Sequence, residues 1–159
     1  MFRFNRILVP TDFSSISEAA VDAAASLAEG KPAELFLIHV IAPVAVLPPL
    51  EMAAIPVLTT DDGLAIQRSL DRLIVPGSLG RMPVHREILH GVPEHVIADY
   101  ADDHDIDVIV MGTHSRTGLS HFVLGSVTES VVRHVKCPVL TVPAAVVSAS
   151  NTEPQSAMN

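Results

Sequence analysis

The aliphatic run Ile7-Leu8-Val9 gives way at Pro10-Thr11-Asp12 to a segment in which Ile16, Ala19, Ala20, Ala23, Ala24 and Leu27 recur at helical spacing. A second aliphatic run, Leu35 to Val40, follows at once. Strand, helix and strand in so short a span make a βαβ unit, whose crossover helix returns the chain to the same end of the sheet, so the strands are parallel. Such crossovers are right-handed. Ser15 and Glu18 have the spacing of a capping box at the helix start, and Gly30 before Pro32 stops the helix. The composition agrees: 48% of residues are hydrophobic but only 4% aromatic, so the core is aliphatic, as suits strands covered on both faces.

The alternation continues along the chain. Residues 41–59 are apolar but broken by Pro43, Pro48, Pro49 and Pro56, which prevents a regular helix and predicts a long surface connection, either a binding segment or a plain linker. A helix is expected from Asp61 to Val75, packing Ile66, Leu70, Leu73 and Ile74 before Pro76-Gly77. Val84 to Leu89 alternates with His85, Arg86 and Glu87 and reads as an edge strand. A helix beginning near Pro93 buries Val96, Ile97, Tyr100 and Ala101. Val108 to Met111 is a short buried strand, Ser126 with Glu129 opens a last helix through Val127, Val131, Val132 and Val135, and Val139 to Val142 is the final strand. Five strands alternating with four helices predict an α/β fold: a single doubly wound five-stranded parallel sheet in the order 3-2-1-4-5, with helices on both faces. Residues 1–143 form that one domain, and 144–159, rich in Ser, Asn and Ala, are expected to be a disordered tail.

Charge and cysteine usage narrow the setting. With 18 acids against 10 bases the net charge is −8, which argues against affinity for nucleic acid or an anionic membrane. No apolar run reaches the roughly 18 residues needed to span a bilayer, and the amino terminus lacks a signal-peptide pattern. Cys137 is the single cysteine and cannot form an internal disulfide, so a reducing, cytoplasmic location is expected.

Doubly wound sheets bind ligands outside the carboxyl ends of their strands, where the strand order reverses. That directs attention to the loops after Val9 and after Met111. The second runs Met111-Gly112-Thr113-His114-Ser115-Arg116-Thr117-Gly118 and on to Leu124-Gly125-Ser126. Glycines there let backbone amides approach an anion, and the helix that follows adds the positive end of its dipole; equally, the glycines serve turns and Ser126 caps its helix. Asp12 is placed to bind a ligand, or else to hold nearby amides as a turn residue. Other constellations are weaker. The glycine loop lacks the Gly-Lys-Ser/Thr ending of a Walker loop, and Ser115 misses the Gly-x-Ser-x-Gly nucleophile elbow. His85, His90 and His95 fall on a strand, a turn and a helix and share no face for zinc. Cys137, before a proline, reads as a packed thiol.

The stretches Val108 to His114, Gly125-Ser126-Val127-Thr128-Glu129 and Cys137-Pro138-Val139-Leu140-Thr141-Val142, with the opening Ile7 to Ser14, resemble the universal stress protein family. The likeness runs from about Asn5 to Val142. Members of that family are generally homodimers, and its ATP-binding branch carries Gly-x-x-Gly, nine residues, then Gly-Ser or Gly-Thr. Here Gly112 fills the first place, Arg116 to Leu124 the spacer and Gly125-Ser126 the last, while Ser115 stands where the second glycine belongs. The resemblance implies that Pro10, Thr11 and Asp12 meet the adenine or ribose end beside Val40. It implies that Met111, Gly112, His114 and Ser115 line the ribose and phosphate path, and that Gly125, Ser126, Val127 and Thr128 hold the phosphates. ATP with Mg²⁺ is the expected ligand, the divalent cation offsetting phosphate charge that the loop does not match. A homodimer through Val139-Val142 is the expected assembly. No residue is well placed as a general base, so a binding or signalling role with at most slow ATP hydrolysis is expected. The alternatives are a dimeric interaction protein of the branch that does not bind ATP and a small adenylate or ester hydrolase.

Overall fold

The computed structural model describes residues 4–43, 60–73, 82–113 and 125–143. In chain order these form β1 (Arg6–Pro10), α1 (Ser15–Ala28), β2 (Glu34–Ile41), α2 (Thr60–Arg72), β3 (Val84–His90), α3 (Pro93–Asp103), β4 (Val108–Gly112), α4 (Ser126–His134) and β5 (Val139–Val142). The strands make one parallel sheet in the predicted order, β3-β2-β1-β4-β5.

Two apolar layers cover it. Ile7, Val9, Leu35, Leu37, Val108 and Val110 face α1, which supplies Ala20, Val21, Ala24, Ala25 and Ala28, and α2, which supplies Leu70. The alternate residues Leu8, Phe36, Ile38, Ile109 and Met111 face α3 and α4 through Ile97, Tyr100, Ala101 and Val131. Small alanines let α1 lie close on the central strands. β1, flanked by β2 and β4, is apolar on both faces, and Ile7, Leu8 and Val9 are fully buried.

Several local expectations are corrected. The N-cap of α1 is Ser14, not Ser15: its backbone is extended (φ −76°, ψ 156°) and its side chain accepts from the Ser17 amide. The N-cap of α4 is Gly125, with no side-chain cap bond, so Ser126 is the first helical residue and forms no capping box with Glu129. Val132 is 44% exposed, because Val131 takes the inward position on that turn. Val96 is only half-buried. The predicted end of α2 at Ile74-Val75, most of the proline-rich connection 41–59 and the tail 144–159 lie outside the described residues. Helix α1 ends as expected: Gly30 has φ +69°, a left-handed turn that glycine takes without strain.

Candidate functional site

β1 ends at Pro10, and the next four residues turn the chain into α1. Two short side chains make the turn. Thr11 Oγ1 accepts from the Phe13 amide at 3.0 Å. Asp12 Oδ1 accepts from the Ser14 amide at 3.0 Å and from the Ser14 hydroxyl at 2.6 Å. The hydroxyl protons are ordered. A carbonyl can only accept, so Ser17 Oγ donates to Ser14 O at 2.9 Å and in turn accepts from Thr11 Oγ1 at 3.0 Å. Phe13 is carried into the left-handed region at φ +61°, at a cost of about 1–2 kcal/mol for a side chain with a Cβ. Its ring packs against the α1 layer and lies 4.6 Å from the His39 ring, centroid to centroid. Burial pushes the Asp12 carboxyl up, but the hydrogen bonds from the Ser14 hydroxyl and amide outweigh it. The carboxyl therefore sits below the usual carboxylate range and is charged at neutral pH.

The end of β2 lies beside this turn. Ile38 O accepts from the Thr11 amide at 2.9 Å, on the β1 side, and Ile41 O accepts from the Gly91 amide at 3.1 Å, on the β3 side. Strand alternation therefore turns the main chain of Val40 toward β1, beyond the point where β1 has ended. On the other flank, one bond ties the end of β4 to β5 and two tie it to the start of α4. Thr113 N donates to Val142 O at 3.0 Å and Gly125 N to Thr113 O at 2.5 Å. Thr128 Oγ1 donates to Gly112 O at 2.8 Å, so its hydroxyl proton is committed within the fold. The first helical bond of α4 is Glu129 N to Gly125 O at 2.9 Å; the amides ahead of it open on the same side as Asp12, at the positive end of the helix dipole. Helix α3 enters from a third side, with Val92 as an N-cap that makes no side-chain bond and Pro93 in the first turn.

These elements enclose a cavity of about 210 Å³ at the carboxyl edge of the sheet. Since a water molecule's share of liquid volume is about 30 Å³, the space is ligand-sized. Pro10, Thr11, Asp12, Val40, Met111, Gly112, Gly125, Ser126, Val127 and Thr128, all named from the sequence, line it. His114 and Ser115 lie outside the described residues. Ser14, Ser17, His39, Pro93, Ile97 and Thr113 also line it and were not anticipated. A signal for Pro93 and Ile97 was present: every β-to-α connection of a parallel sheet opens on the same edge, the one after β3 included. Among the described residues, the lining has one carboxylate and no lysine or arginine, and no group of three His, Cys, Asp or Glu could hold a metal. A divalent cation here would be held chiefly by the oxygens of its ligand. Gly112 has a packing reason to be glycine: a Cβ on it would collide with Ile16 Cγ2 and stand 3.4 Å from the Ile16 carbonyl carbon.

A model of the family described as "Universal stress protein family" matches residues 3–143. A universal stress protein of Methanocaldococcus jannaschii is 34% identical over 142 residues, covering 87% of this chain and 82% of its own. Among solved structures, a universal stress protein from Lactobacillus plantarum superposes with a TM-score of 0.69 at 29% identity, covering 89% of this chain and 99% of that one. A universal stress protein in complex with cAMP superposes with a TM-score of 0.59 at 26% identity, covering 87% of this chain and 95% of that one.

Proposed function

This chain belongs to the universal stress protein family, and from that premise we propose that it binds adenine nucleotide, ATP with Mg²⁺, in the cavity at the carboxyl edge of its sheet. One observation carries the reading: a charged Asp12, the outward main chain of Val40 and the uncapped start of α4 line a single cavity. The three fit the three parts of a nucleotide. A main-chain donor and acceptor side by side at Val40 match the hydrogen-bonding edge of adenine. Both Ser14 bonds fall on Asp12 Oδ1, so Oδ2 serves a ribose hydroxyl. Phosphate goes to the amides of Ser126, Val127 and Thr128 beside Gly125, whose own amide is given to Thr113 O, with Mg²⁺ offsetting charge that no lysine or arginine of the described lining meets. Met111 and Gly112 floor the path between, and His114 and Ser115 belong to it by the family pattern. The structural relative in complex with cAMP supports an adenine nucleotide as the class of ligand.

The role is binding rather than turnover, in stress response or signalling. Of the described lining, Asp12 is engaged by Ser14 and lies at the ribose end, far along the ligand from a γ-phosphate. A cytoplasmic location goes with this reading, the single cysteine being suited to a reducing compartment; no helix among the described residues is long and apolar enough to cross a membrane. Intact-complex mass spectrometry of freshly purified protein is expected to find adenine nucleotide carried along, and calorimetry with Mg²⁺ to rank ATP above GTP. Tighter binding of cAMP than of ATP would reassign the ligand within the class. No response to ATP, cAMP or GTP would move the function to a dimeric interaction protein.

The assembly that accompanies this reading is a homodimer through β5. Both β3 and β5 are edges of the sheet, but β3 carries Arg86 and Glu87, whereas Val139-Leu140-Thr141-Val142 has no charge and leaves Leu140 42% exposed. An uncharged edge lacks the usual guard against pairing. Leu140→Lys is expected to shift sedimentation from dimer to monomer; a variant as dimeric as the parent would place the seam elsewhere.

A further inference from the structure

His39 lies at the end of β2 beside Val40, and it holds both neighbours of Asp12. A carbonyl can only accept, so the 2.8 Å contact between His39 Nδ1 and Thr11 O fixes the proton on Nδ1. On the far side of Asp12, the His39 ring lies 4.6 Å from that of Phe13, inclined by 32°. Phe13 is the residue held at φ +61°, a conformation that a bulky side chain keeps only where its surroundings over-determine it. The carboxylate at the cavity is thus suspended between two anchor points, and one imidazole from the neighbouring strand makes both.

We propose that His39 is a positioning residue for the nucleotide, clasping Thr11 and Phe13 so that Asp12 meets the ribose in register with the main chain of Val40. The inference rests on the nucleotide reading for its ligand, but the clasp itself is a property of the free protein. Two substitutions divide its halves. Asparagine places an amide nitrogen where His39 Nδ1 stands, keeping the donor to Thr11 and losing the ring. Phenylalanine keeps the ring against Phe13 and loses the donor.

The test is calorimetric titration with ATP and Mg²⁺ of the parent, His39→Asn, His39→Phe, Asp12→Asn and the double variant His39→Phe/Asp12→Asn, with thermal melts to confirm folding. His39→Phe is expected to weaken binding about tenfold, within the usual range for coupled contacts, and His39→Asn to weaken it less. The double variant is expected to bind no worse than Asp12→Asn alone, since His39 acts through that carboxylate. Equal affinities of parent and His39→Phe, or additive losses in the double variant, would overturn the proposal. A ligand-free readout separates this from the nucleotide reading. In carboxyl NMR titrations of folded proteins, Asp12 is expected to titrate higher in His39→Phe than in the parent, because a loosened turn gives up part of its bonds from Ser14. If the parent binds no nucleotide but Asp12 moves, the clasp stands and the nucleotide reading fails. If Asp12 titrates identically in folded parent and variants, the clasp fails.

Discussion

Leu8→Ala is expected to lower the unfolding free energy by about 2–5 kcal/mol, the usual span for truncating a buried leucine. Leu8 is fully buried at the centre of the sheet, paired in register with Phe36 on one side and Ile109 on the other. Its neighbours in the α3–α4 layer are held by strands on both flanks and by two helices, so the space left by three missing carbons closes poorly. For a domain of this size each kcal/mol is worth about 2–4 °C, so the melting temperature should fall by about 4 °C at the least and close to 20 °C at most. Leu64→Ala, at a 50% exposed position on α2, is the control and should change stability by no more than about 0.5 kcal/mol. A loss for Leu8 as small as that of the control would mean that the sheet is not packed as described.

The second large effect is expected at Gly112. Read from sequence, this glycine lets phosphate approach the backbone; in the fold, its missing side chain is where Ile16 of α1 sits. Gly112→Ala should therefore destabilise the protein with no ligand present, by about 1–3 kcal/mol, the usual range for overpacking. The added methyl also stands 3.3 Å from Ile16 Cβ, an atom that side-chain rotation leaves in place, so rotation of Ile16 alone does not relieve the crowding. Trimming the obstacle should help: Gly112→Ala combined with Ile16→Ala is expected to lose less than the sum of the two single changes, as contacting sites do when one opens space for the other. Chemical denaturation of the four proteins without nucleotide decides it. A Gly112→Ala protein as stable as the parent would return the residue to a purely ligand-facing role.

What the sequence made legible was the part governed by long periodic signals. The aliphatic runs and the helical spacing of alanines and larger apolar residues named every strand and helix of the described residues, and handedness then left one sheet order. Helix starts were less legible because spacing alone does not choose between adjacent serines. The Ser15–Glu18 spacing points to Ser15, but the N-cap is Ser14, because the turn built by Thr11 and Asp12 leaves its backbone extended and its hydroxyl between Asp12 and the Ser17 amide. The same holds at Gly125 and Ser126. The candidate site was legible where a loop followed directly from a strand, as at Asp12 and Gly112. It was not legible where a residue reaches the cavity through the packing of another element: Ile97 comes from the first turns of α3, and His39 is tied to the cavity by a bond to Thr11, 28 positions away.

The central place of β1 has a consequence for synthesis on the ribosome. Its first partner, β2, is complete at Ile41, but its second, β4, begins at Val108. At roughly 5–20 residues per second, the intervening chain takes about 3–13 s to emerge. Through that interval a strand whose Ile7, Leu8 and Val9 end up fully buried is an open edge, able to pair with the same strand of a neighbouring nascent chain. The contact that closes it joins residues about a hundred positions apart, Ile7 to Val108, and contacts that distant form slowly. Newly made chains are thus most exposed to mispairing not at the sheet's final edges but at the strand that ends up in its middle.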